Sequence, residues 1–191
     1  MKQTRSLIFG ILLMAMFGFG GSGWARAEKA SGFEVLSAQA KPLDHVLRMD
    51  ANIRLGLSEP VIEAVRSGVP QIITIEMRVK CQRDYLWDQE LAALNLRYEL
   101  SYHALSGRYI VTTLNTRSRA SYATLGEALF NIGSIRDFPL VDVGLLPRKR
   151  HCYGEIRAAL DIESLPTPIK LTAYTHSDWW LGSDWLTWPI Q

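Results

Sequence analysis

The chain has 191 residues, 48% of them hydrophobic, and a formal net charge of +2. Its length allows one well-buried core and excludes two comfortable domains. Three of the 21 basic residues, Lys2, Arg5 and Arg26, lie in the first 27 positions; without them 18 basic residues face 19 acidic ones, a formal −1 that gives no general attraction for nucleic acid or anionic lipid.

In chain order, Met1 to Ala27 reads as a secretory signal peptide. Lys2 and Arg5 form its positive start, Leu7 to Phe19 is an apolar run broken only by glycines, and Ala25-Arg26-Ala27 is a small-x-small cleavage site. The run is about 13 residues, whereas a spanning helix takes roughly 20, so removal is expected rather than retention as an anchor. Cleavage after Ala27 is expected to leave one β-rich domain, residues 28–191, in the periplasm, with no stable membrane anchor.

Phe33, Val35 and Ala38 begin a series of strands. Leu47, Met49, Ala51, Ile53 and Leu55 then alternate with Arg48, Asp50, Asn52 and Arg54, the period of a strand with one wet face. The pattern returns at Ile73 to Cys81 and at Leu94 to His103. Gly107, in Leu105-Ser106-Gly107-Arg108, supplies the conformational freedom for a hairpin into a strand from Arg108 to Thr113. Cys152 to Ile162 alternates again, and Ile169, Leu171 and Ala173 follow the Leu165-Pro166-Thr167-Pro168 break.

Two short helices interrupt the strands. Ser58 is the candidate N-cap of the first, with Pro60 in its first turn and Gly68 as its stop. Thr124 and Glu127 form a capping box for the second, which Gly133 closes. The expected fold is therefore mainly β: an antiparallel two-sheet β-sandwich of about seven strands with two short connecting helices.

Cys81 and Cys152 each fall on the apolar side of a strand, so they either bridge, closing a loop of about 70 residues, or pack as buried thiols. His45, His103, His151 and His176 show no ligand spacing, and neither cysteine belongs to a Cys-x-x-Cys, so no metal site is expected. Nucleophile elbows and phosphate-binding glycine loops are missing from the sequence, and no cofactor is expected. Arg148-Lys149-Arg150, beside Pro147, reads as a solvated loop.

Asp84 and Asp88 flank Tyr85-Leu86-Trp87. They offer either an acid/base pair in a sugar-processing cleft or a hairpin connection with the two rings lying over the sheet edge. The run Ser177 to Pro189 holds Trp179, Trp180, Trp185 and Trp188, which suit a partner interface or a flap sealing the sandwich. Tyr85, Trp87, Trp179, Trp180, Trp185 and Trp188 are the candidate interface residues.

Together these segments resemble the exported proteobacterial proteins gathered as domain-of-unknown-function family 4390. The resemblance rests on Leu57-Ser58, Glu63-Ala64, Gly68-Val69-Pro70, Tyr85-Leu86-Trp87-Asp88 and Leu100 to Tyr109. It continues through Leu125-Gly126-Glu127-Ala128-Leu129, Gly133, Ile156-Arg157, Leu160-Asp161, Leu165-Pro166 and the tryptophan-rich run. It implies no activity and no catalytic residues. Because genes of the family often neighbour one for a membrane sensor kinase of the nitrogen-regulation type, it implies an envelope role with such a kinase as partner. The reading reached is a non-catalytic periplasmic interaction module; its rivals are an envelope carbohydrate-active enzyme using Asp84 and Asp88, and a carrier of a small ligand or lipid between the sheets. Oligomeric state is not legible in the residues.

Overall fold

The computed structural model describes residues 31–147 and 149–190. The signal-peptide reading, on residues 1–27, and Arg148 of the basic run lie outside the described residues.

Among the described residues, nine strands build two antiparallel sheets. The smaller has the order β1-β2-β7, from β1 (Gly32–Leu43), β2 (Val46–Gly56) and β7 (Ser134–Asp142). The larger runs β6-β5-β4-β3-β8-β9, from β3 (Gln71–Cys81), β4 (Gln89–His103), β5 (Arg108–Thr113), β6 (Ser118–Tyr122), β8 (Cys152–Leu160) and β9 (Leu186–Ile190). Each sheet has one apolar face, and burying the two against each other makes a sandwich. Met49 from the smaller sheet and Ile73, Ile75, Met77, Val79 and Ile156 from the larger are exposed by 1% or less. Helix α2 (Leu125–Gly133) lies between β2 and the β5–β6 ribbon, carrying Ala128 and Ile132 into the core.

The five alternating segments from Leu47 to Leu160 are strands β2, β3, β4, β5 and β8. In β1 the spacing slips between Val35 and Ala38 because a bulge at Leu36 shifts the register: Val35 opposes Ile53, but Ser37 opposes Asn52. Thr124 and Glu127 make both bonds of the capping box at α2. Ser58 stands at the N-cap of α1 (Glu59–Arg66) without capping it; its hydroxyl donates instead to the Asp178 carbonyl at 2.6 Å, tying α1 to the segment before β9.

Two differences from the sequence reading have clear causes. Ile169, Leu171 and Ala173 lie in a helix, α3 (Thr167–Thr175), because Pro168 presets the first turn and three alternating residues are too few to choose a period. Strands β6, β7 and β9 add to the expected set. Ser118–Tyr122 has no buried residue and β7 contains Pro139 and two register shifts, so neither shows clean alternation, and β9, which does alternate, is only five residues long and contains Pro189. These three strands and β1 are the four sheet edges.

Candidate functional site

The neighbouring strands β3 and β8 of the larger sheet bring Cys81 and Cys152 directly opposite each other, Cα atoms 4.0 Å apart, and they are disulfide-bonded. Both are buried. The bridge clamps β3 to β8 at the end of the sheet from which the β3–β4 connection, Gln82 to Asp88, departs.

On the outer face of this sheet the antiparallel register pairs opposite charges. Glu76 receives two bonds from the Arg157 guanidinium, at 2.7 and 3.0 Å. Lys80 meets Glu155 at 2.8 Å, and Arg97 meets Asp161 at 2.8 Å. Burial acts to raise the Asp161 carboxyl, but hydrogen bonds from Ser164 and Arg97, with the charge of Arg97, outweigh it and hold the group below its ordinary value. The ring of Trp185 sits among these charges, its centroid 4.5 Å from the Arg78 guanidinium carbon and 4.6 Å from that of Arg157. These carboxylates are thus engaged as a ladder.

At the disulfide end, Gln82, Asp88, His151, Tyr153 and Trp188 line an open cleft of about 640 Å³. The Tyr153 hydroxyl donates to the Asp88 carboxylate. That bond, together with desolvation and the charges of Asp88 and Glu155, pushes the phenol up to about 12. Asp84 is exposed in the bend, whereas Asp88 stands in the cleft wall, so the two acids occupy different settings. Among the described residues no group of three or more His, Cys, Asp or Glu side chains is arranged to hold a metal ion.

The tryptophans of the Ser177–Pro189 run scatter rather than gather. Trp179, at 5% exposure, belongs to the core cluster, as do Leu165, Ala173 and Leu181. Trp188, at 6%, lies on β8 where Gly154 leaves room: a Cβ there would stand 2.2 Å from Cζ2 of the indole. Both rings are thus buried in the core, Trp179 with no part in the cleft and Trp188 meeting it only at its margin. Trp185 is half-buried in the charge ladder. Trp180 alone of the four is exposed; its ring N–H donates to the Ala173 carbonyl at 3.1 Å, which fixes the indole beside α3. Leu171 and Tyr174, three apart on α3, are also exposed there.

Tyr85 and Trp87 are 98% and 84% exposed, and Leu86 between them is 59% exposed. They do not lie over the sheet edge as the hairpin reading had it. The base from which they project is fixed by the disulfide, by the Gln82 N–H donating to the His151 carbonyl at 2.9 Å, and by the Tyr153–Asp88 bond.

Sequence reasoning missed Leu171 and Tyr174 as exposed residues, because the alternation of Ile169, Leu171 and Ala173 hid the helix, and it missed Gly154, whose signal was present. A glycine where an inward-facing side chain is due between Cys152 and Ile156 marks a close approach, here of Trp188.

A family model described as "Domain of unknown function (DUF4390)" matches residues 30–189. No curated protein and no solved structure matches the chain.

Proposed function

We propose that this chain, which belongs to the DUF4390 family, is a non-catalytic binding module of the cell envelope. The reading takes the leader at residues 1–27 as an export signal that releases a periplasmic domain, residues 28–191. Its partner in this reading is the extracytoplasmic part of a membrane sensor kinase.

One observation carries the binding role: Trp180 is exposed with its indole tied by a hydrogen bond to the Ala173 carbonyl of α3, the helix that also exposes Leu171 and Tyr174. An exposed aromatic whose rotamer is already fixed loses little entropy on contact, which is the character of an interface anchor. The rest of the molecule supports binding over chemistry, because the outer-face carboxylates are taken up by ion pairs and Asp88 by Tyr153.

The test is direct titration of the purified protein with the kinase's extracytoplasmic domain. Binding is expected, and Trp180→Ala is expected to weaken it about tenfold or more, an exposed ring being removed with little effect on folding. Absence of binding by the unaltered protein, or equal binding by Trp180→Ala, overturns the assignment.

A further inference from the structure

We infer that the Tyr85-Leu86-Trp87 tip is a reversible membrane-docking loop whose ligand is the apolar–polar boundary of a phospholipid bilayer. The inference rests on the envelope reading above for its setting, but it concerns a different surface from that of Trp180.

Exposure comes first. Three consecutive apolar side chains, 98%, 59% and 84% exposed, project from the end of the β3–β4 pair. A connection serving only the fold would turn such residues back onto the sheet, where each removes apolar surface from water. Here the chain instead carries them outward from a base pinned by the Cys81–Cys152 bridge, the Gln82–His151 backbone bond and the Tyr153–Asp88 bond.

Residue chemistry selects the boundary. Tyrosine and tryptophan join a large apolar body to one polar atom and concentrate where hydrocarbon meets headgroups, while leucine prefers the hydrocarbon itself. The order Tyr-Leu-Trp places the aliphatic group between two rings suited to the boundary.

Size separates a bilayer from a protein partner. A stable protein interface takes about 800 Å² from each side and some 20 or more residues. Exposed by 98% and 84%, the two rings have almost none of the chain beside them to complete that area, unlike the Trp180 patch against α3, yet they suffice for weak, reversible partition into a lipid surface. Asp84 and Asp88 cancel two of the three positive charges that Arg83, Lys149 and Arg150 bring near the base, so the attraction is mainly apolar. Docking should therefore occur on zwitterionic lipid and depend only weakly on salt.

The experiment uses the full chain expressed with its own leader and purified in the form the cell accumulates, compared with the Tyr85→Ser/Trp87→Ser double variant and with Trp180→Ala. Co-sedimentation is measured with vesicles of phosphatidylcholine alone and of phosphatidylethanolamine with phosphatidylglycerol, at low and high salt. Lipids brominated along their acyl chains then report contact with tryptophan by quenching. The unaltered protein and Trp180→Ala are expected to partition equally onto both vesicle types. The double variant, whose changed residues are exposed and leave the core intact, should partition about tenfold less or weaker still and lose the quenching.

Equal partition of the double variant and the unaltered protein overturns the inference, as does binding that disappears on phosphatidylcholine. If the double variant keeps its vesicle binding but loses the kinase domain, the tip is a protein contact instead. Failure of Trp180→Ala to affect kinase binding would refute the proposed function while leaving the vesicle result untouched.

Discussion

Replacing Gly154 with alanine should cost about 3 kcal/mol of stability, close to the upper end for overpacking a core. The added Cβ would sit 2.2 Å from Cζ2, 2.4 Å from Cε2 and 2.8 Å from Cη2 of Trp188. Carbon atoms rest at about 3.5–4.0 Å, so the indole has to retreat by more than about 1 Å. It has little room to do so, being 6% exposed and carried on β9, which pairs with β8 at this very point: Gly154 opposes Trp188. Trp188→Ala alone should cost about 3–5 kcal/mol through the cavity it leaves. In the double variant the methyl introduced by Gly154→Ala no longer meets a ring, so the combined loss should fall short of the sum by at least about 1 kcal/mol. Equilibrium urea unfolding with the disulfide intact measures all three. A Gly154→Ala protein within about 0.5 kcal/mol of the unaltered one, or strictly additive losses, would refute the claim that β8 is shaped around this tryptophan.

Removing the bridge by Cys81→Ala/Cys152→Ala, cysteines 71 positions apart, should lower stability by about 4 kcal/mol, read as the difference in urea unfolding free energy. Gly133→Ala puts a Cβ 2.1 Å from the Ile53 carbonyl oxygen, a backbone atom that cannot swing aside, and should destabilise by about 2 kcal/mol in the same assay. Asp161 is held below its ordinary value in the folded state, so the stability it contributes is complete above the unfolded value near 4 and fades as pH falls through the folded value. Asp161→Asn should therefore be the less stable protein at neutral pH, and the gap between it and the unaltered chain should close in acid. Tyr153, raised to about 12, favours folding below the unfolded value near 10 and loses that contribution as pH rises through about 12. In Asp88→Asn, tyrosinate absorbance should show one phenol ionising at lower pH than in the unaltered protein.

The sheets were legible where one face is greasy and the other wet. Leu47 to Leu55 and Ile73 to Cys81 alternate because water lies on one side of them only, and burial follows that alternation residue by residue. Strand β9 was illegible because it is five residues long and holds Pro189, a residue that speaks against a strand, although Leu186, Trp188 and Ile190 alternate with the exposed Thr187 and Pro189; its place is set by a distant glycine. The residue types of the tryptophan-rich run were legible, but their burial was not. Residue type says that an indole wants a partner, and only the fold says whether that partner is the core, as for Trp179 and Trp188, a pair of guanidiniums, as for Trp185, or solvent, as for Trp87 and Trp180. Tyr85 and Trp87 illustrate the limit: turn chemistry located the bend, but the direction of the side chains depends on a base fixed from β8, some 65 residues away, through the Tyr153–Asp88 bond.

The four sheet edges carry a consequence for how the molecule meets others. β1 is interrupted by its bulge and carries Lys41 and Pro42 just before its end, β7 holds Pro139, β9 holds Pro189, and β6 is five residues long with Arg119 exposed. Each of these features spoils a strand as a template for another backbone. Crowded copies are thereby kept from stitching sheet to sheet into fibrils, and recruitment is left to the side chains at the corners of the molecule, where binding can be made and undone without remodelling the fold.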